Sequence, residues 1–156
     1  MRAKITKCSR KRVILRVIFK AYRLFAYLRA MNKRKRLSQS RADELYLSLL
    51  RYLMTDARYR THESTQRQAA EALGVSVYTL SAAISQSLHT NYADLLNTLR
   101  LRDACTMLSD PACATLTAEY IGLSVGFASR QAFYLAFARK HHVTPKQYRQ
   151  LHLPQD

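Results

Sequence analysis

Apolar positions recur at helical spacing along most of the chain. Behind Ser40-x-x-Asp43, which has the form of a capping box, Leu45, Leu49, Tyr52 and Leu53 fall on one face and predict a helix over 41–54. Thr65-x-x-Gln68 opens a short helix carrying Ala69, Ala70 and Leu73, and Gly74 ends it. Ser76 caps a third helix with Leu80 and Ile84 inward. Asn91-x-x-Asp94 starts a longer one with Leu95, Leu99, Ala104 and Leu108 inward, stopped at Asp110-Pro111 because proline cannot continue a helix. Thr117 caps a short helix ending near Gly126, and Ser129 caps the next, with Phe133 and Phe137 inward. Pro145 stands in the first turn of a final helix.

The pattern repeats. A shift of 53 residues places Ser76 on Ser129, Leu80 on Phe133, Ile84 on Phe137, His89 on His142 and Tyr92 on Pro145. Gly74 and Gly126 both precede the cap, with one extra residue in the second copy. Each copy is a short helix, a Gly-containing turn, a Ser cap and a second helix, which is the helix-turn-helix layout. In that layout the first helix braces the second, which can enter a major groove of DNA. Gly122 falls inside the second copy, where it lets two helices approach closely.

The predicted fold is therefore all-α: two helix-turn-helix subdomains joined by a long linker helix and preceded by a basic amphipathic N-terminal helix. The expected boundaries are an arm and linker over 1–40 and a DNA-binding domain over 41–153. Within the domain, the first unit spans about 65–88, the linker helix about 92–109 and the second unit about 117–151.

Charge changes this picture in one respect. Residues 1–42 hold fifteen Lys/Arg and no acid, while 43–156 hold eleven Lys/Arg and ten Asp/Glu, so the net charge of +16 belongs almost wholly to the arm. Charge alone does not mark the remaining domain as a DNA binder. In the arm, Arg12, Arg16, Lys20 and Arg23 share one helical face opposite a wide apolar one. Lys20 and Arg23 would sit near the centre of a spanning helix, at a cost of roughly 2.5–3.5 kcal/mol each, so a transmembrane reading is rejected. A cleavable signal peptide fails because charges break the apolar run. Three readings of the arm stand. It neutralises DNA phosphates; its segment 12–31 lies on an anionic membrane surface; or it is the remnant of a larger regulator or of a misplaced start.

Cys8, Cys105 and Cys113 form no C-x-x-C pair, which argues against a disulfide framework and fits a reducing cytoplasm. The histidines show no H-x-x-x-H spacing, and no metal site or cofactor is expected. No nucleophile–base pair or carboxylate cluster supports an enzyme. The competing class is a membrane-surface or protein-interaction module built on the basic helix.

On these residues the chain resembles the DNA-binding domain of the AraC/XylS regulators over roughly 64–151. The resemblance rests on Thr117-Ala-Glu-Tyr-Ile121, Val125-Gly-Phe127-Ala-Ser129, Phe133-x-x-x-Phe137 and Val143-Thr-Pro-Lys-Gln-Tyr-Arg149. The first half adds Ala70-x-x-Leu73-Gly-Val-Ser76-x-x-x-Leu80 and the linker segment Leu99-Arg-Leu-Arg-Asp-Ala104. The leading helix with Tyr59 resembles the subgroup attached to membrane-embedded sensors.

The resemblance implies sequence-specific binding of double-stranded DNA and regulation of transcription in the cytoplasm, at the nucleoid or the inner face of the membrane. RNA polymerase is an implied further partner, and no small-molecule effector site is evident. By position, Tyr78, Ser81, Ala82 and Ser85 of the first unit and Arg130, Gln131 and Tyr134 of the second would face bases. Ser76, Ser129, Arg139, Lys140, Thr144 and Lys146 would meet phosphates. Arg100 and Asp103 would brace the linker helix, and Cys105 and Cys113 would be inert. The sequence departs from the family at His89 and His142, where relatives often carry glycine. It departs again on the first recognition helix, where relatives often present Arg or Gln.

Overall fold

The computed structural model describes residues 37–61 and 64–153. The basic arm, including the amphipathic segment 12–31, lies outside the described residues. Among the described residues seven α-helices follow in order: α1 (Gln39–Met54), α2 (Gln66–Ala72), α3 (Val77–Leu88), α4 (Tyr92–Ser109), α5 (Ala118–Ser124), α6 (Arg130–His141) and α7 (Pro145–His152). Short 3-10 segments, Thr55–Arg60 and Pro111–Cys113, follow α1 and α4.

Side-chain caps set most helix starts. Thr65 and Thr144 each form a capping box, with Gln68 and Gln147 reaching back to the cap backbone. The hydroxyls of Ser76, Thr117 and Ser129 accept from backbone N–H groups three residues on, as does the Asn91 amide oxygen. The first helix starts earlier than the Ser40 pattern predicts. Ser38 is its cap, accepting from the Arg41 N–H, while Asp43 accepts from Ser87 on α3 at 2.8 Å. Asp43 is thus used across helices rather than in a cap.

Helices α2 and α3, and α5 and α6, form the two helix-turn-helix units. Their turns share one hydrogen-bond pattern: the Val75 N–H donates to Ala70 O, and the Phe127 N–H donates to Gly122 O at 3.1 Å. In each the preceding glycine takes a positive φ, +65° at Gly74 and +102° at Gly126, the geometry of a Schellman turn. The ends of α3 and α6 also match. His89 and His142 adopt left-handed backbone at φ 53° and 59°, so histidine fills the position where relatives often carry glycine.

Two apolar cores sit side by side on α4. Leu45, Leu49, Leu53, Tyr59, Leu80, Ile84, Leu95 and Leu99 belong to the first. Leu101, Ala104, Leu108, Ile121, Phe127, Phe133 and Phe137 belong to the second. The changeover falls between Leu99 and Leu101. Because α4 is covered on different faces at its two ends, Tyr92, Leu96 and Leu101 are buried in addition to the four predicted positions.

The link from α1 to the first unit is unusual. Asp56 and Ala57 both take left-handed backbone, φ 52° and 50°. For a non-glycine residue that conformation costs on the order of 1–2 kcal/mol, so contacts elsewhere must hold it. Ala57 and Tyr59 pack on the first core, and α4 bonds the end of the segment through Arg100 and Asp103.

Candidate nucleic-acid interface

In α3 the buried residues Leu80, Ala83 and Ile84 define the inner face. Tyr78, Ser81, Ala82 and Ser85 lie at i, i+3, i+4 and i+7 on the opposite face. Tyr78, Ser81 and Ser85 are exposed and Ala82 is half-buried. In α6 the inner face is Phe133, Ala136 and Phe137. Arg130 and Gln131 are exposed in its first turn, and Tyr134 is half-buried one turn on. The structure therefore gathers all seven predicted base-facing residues on the outer faces of the two second helices.

The second face is organised by its aromatic residues. Tyr134 packs edge-on against Phe133, with ring centroids 5.8 Å apart, and the Arg130 guanidinium lies 5.2 Å above the Tyr134 ring. Phe133 in turn meets Phe127 and Phe137. The core thus fixes a ring that supports an exposed arginine, a cation–π arrangement that limits where the guanidinium swings.

Leu135 was missed by sequence reasoning, yet it is 71% exposed on the same helix. The 53-residue repeat contained the signal, since it maps Ala82 onto Leu135 and Val77 onto Arg130. Val77 is also exposed, at 43%.

The residues expected at phosphates separate into two kinds. Ser76, Ser129 and Thr144 are exposed caps at the starts of α3, α6 and α7, and Lys146 is exposed in the first turn of α7. Arg139 and Lys140 lie instead at the far end of α6. Arg139 is ion-paired with Asp94 of α4 at 2.9 Å, both side chains being well exposed. Lys140 borders an open cleft of about 450 Å³ between α4 and α6, with Arg102, Cys105, Thr106, His141 and Tyr148. In that cleft Cys105 Sγ lies 3.4 Å from His141 Nε2, and burial pushes the Cys105 thiol up. His141 is held below its usual range by burial, reinforced by the Lys140 charge and by His142 and His152.

Arg100 and Asp103 do brace the linker helix. Arg100 donates to Tyr59 O at 2.7 Å and to Thr61 O at 3.3 Å. Asp103 accepts from the Tyr59 hydroxyl and from Arg60 Nε and Nη2, at 2.9 and 2.6 Å. Burial alone would raise the Asp103 carboxyl; the Tyr59 hydroxyl and the Arg60 guanidinium outweigh it and hold it below the usual carboxylate range.

Among the described residues, no three His, Cys, Asp or Glu side chains are grouped so as to hold a metal, and no helix is long and apolar enough to cross a membrane.

A family profile described as a helix-turn-helix domain matches residues 69–151. Solved structures with the same architecture include the C-terminal domain of AraT, a response regulator from Geobacillus stearothermophilus. It is 28% identical, with a TM-score of 0.58 over 78% of this chain and 93% of that one. The C-terminal domain of the two-component response regulator yesN from Fusobacterium nucleatum is 26% identical, with a TM-score of 0.54 over 60% of this chain and 88% of that one. A transcriptional regulator with an AraC-type DNA-binding domain from Chromobacterium violaceum is 25% identical, with a TM-score of 0.53 over 59% and 80% of the two chains. Comparison with curated proteins finds no match.

Proposed function

The chain belongs to the AraC-type helix-turn-helix family of DNA-binding transcription regulators, and on that premise we propose that it reads a specific duplex sequence with α3 and α6 in successive major grooves. The family is not an enzymatic one. The observation that carries the finer reading is the outward face of α6. There Arg130 and Gln131 stand exposed beside a ring that supports the guanidinium. Arginine pairs bidentately with guanine and glutamine with adenine, each pair discriminating by about 1–3 kcal/mol.

Leu135 offers an apolar surface one turn beyond Gln131, suited to thymine methyl groups. On α3, Tyr78, Ser81, Ala82 and Ser85 carry fewer base-edge donors, so the second unit supplies most of the discrimination. Ser76, Ser129, Thr144 and Lys146 stand at helix starts, where backbone N–H groups and the helix dipole favour phosphate. Arg139 reaches phosphate only by leaving Asp94, and Lys140 adds charge at the far end of α6. The arm with its fourteen cationic residues supplies nonspecific attraction to DNA, and the site of action is the nucleoid.

The test is selection of bound sequences from a random duplex pool by the purified full chain, followed by binding of wild type, Arg130→Ala and Tyr78→Ala to the selected duplex. Loss of preference at one base position in Arg130→Ala supports the reading. An Arg130→Ala protein that matches wild type, while Tyr78→Ala abolishes binding, reverses the ranking of the two helices.

A further inference from the structure

The 3-10 segment after α1 belongs to the first core and touches the second helix-turn-helix unit. Tyr59 is 5% exposed and belongs to the first core. Its hydroxyl and the Arg60 side chain converge on Asp103, which lies on α4 beyond the point where the second core begins. The carbonyls of Tyr59 and Thr61 accept from Arg100, whose guanidinium also lies 6.0 Å above the ring of Phe127 in the second unit. At the same place Gly126 presses on the segment. A Cβ there would collide with the backbone carbonyl of Arg60. The glycine of the second turn therefore serves a close approach as well as a positive φ.

The linker helix α4 alone would join the two readers through a single element. The segment 55–61 gives the joint a second attachment. It is anchored in the first core, bonded to the linker and pressed against the second turn.

We propose that this strap sets the angle between α3 and α6 and so determines which spacing between two half-sites the protein accepts, with Arg100, Asp103 and Tyr59 as positioning residues. The inference rests on the DNA-binding reading above. One inserted base pair moves a half-site by about 3.4 Å and turns it by roughly 34° about the duplex axis. A strapped pair of readers cannot follow that displacement, whereas an unstrapped pair can.

The experiment uses the full chain and the duplex selected by wild type, with one base pair inserted or removed between its two contacted halves. A duplex keeping only the half bound by α6 serves as the reference. Wild type loses about tenfold or more in affinity on the respaced duplexes, the scale of one mismatched base pair. Tyr59→Phe keeps the ring in the first core and removes only the hydroxyl; Arg100→Ala removes both carbonyl contacts. In each variant the respacing loss shrinks to roughly threefold, within the range of coupling terms carried by such networks, while affinity for the single half-site holds.

Variants that keep the wild-type loss overturn the proposal, as do variants that lose half-site and full-site affinity in proportion. A wild type with clear sequence preference but indifference to spacing sinks the strap alone. A wild type with no sequence preference sinks the DNA-reading scheme beneath it as well.

Discussion

The ring of Phe133 occupies the space that a side chain at Gly122 would need, with Cδ1 2.5 Å and Cγ 2.6 Å from an ideal Cβ position. Gly122 is buried on α5 and Phe133 is fully buried on α6, so neither can move toward solvent. Gly122→Ala should destabilise the protein by about 1–3 kcal/mol through overpacking, despite the better helix propensity of alanine. Denaturant titration of the two proteins measures it. A gain in stability would show that the α5–α6 contact relaxes at little cost.

Phe137 is 0% exposed and meets Phe133, His141 and Tyr148, with centroids 5.5, 4.6 and 5.4 Å away. Phe137→Ala should cost about 3–5 kcal/mol, as expected for a large buried aromatic. Thermal melts without a marked drop would contradict the packing of α6 on the second core.

At the proposed interface, Arg130→Ala should weaken binding to a selected duplex by about 1–3 kcal/mol and relax preference at one position. Tyr134→Leu, which removes the ring beneath the guanidinium, should reproduce part of that loss. Competition binding against single-base variants of the duplex distinguishes lost discrimination from lost affinity. Equal weakening on every sequence would assign Arg130 to phosphate rather than base.

Stability should fall with acidification through His141. Its folded pKa lies below the ordinary value, so the unfolded chain binds the proton more readily. The contribution is complete above the unfolded pKa, about 6.5, and declines as pH drops below it toward the folded value. His141→Gln should flatten the part of the curve below pH of about 6.5. An unaltered slope in the variant would place the acid sensitivity on other groups.

Removing residues 1–36 should make binding weaker at low salt and the salt dependence shallower, because log affinity changes with log salt by about 0.9 per neutralised phosphate. The ratio of specific to nonspecific affinity should hold, since base edges are read elsewhere. Titrations at several salt concentrations with selected and scrambled duplexes provide the comparison. An unchanged slope, with full-length protein pelleting on anionic vesicles and the shortened protein not, would assign the arm to a membrane surface.

The caps at Thr65, Ser76, Asn91, Thr117 and Ser129 were legible because each rests on a local hydrogen bond with a local residue signature. The 53-residue repeat carried the two units and, followed further, would have carried Leu135. The start of α1 was misread because Asp43 serves a partner 44 residues away instead of the cap. The second buried face of α4 was illegible for a related reason: a helix covered by two cores shows apolar positions on several sides, so no single stripe predicts them. The strap left no local trace. Its left-handed residues are aspartate and alanine, and the groups holding it, Arg100 and Asp103, lie some forty positions along the chain.

The changeover at Leu99 and Leu101 makes α4 common property of two cores. Neither half of the helix can fray without lengthening the exposed end of the other. Damage to one core should therefore be felt as lowered amide protection along the whole helix. Hydrogen exchange along α4 in Phe137→Ala should show the loss of protection crossing Leu101 into Leu95–Leu99, the part of the helix that belongs to the first core.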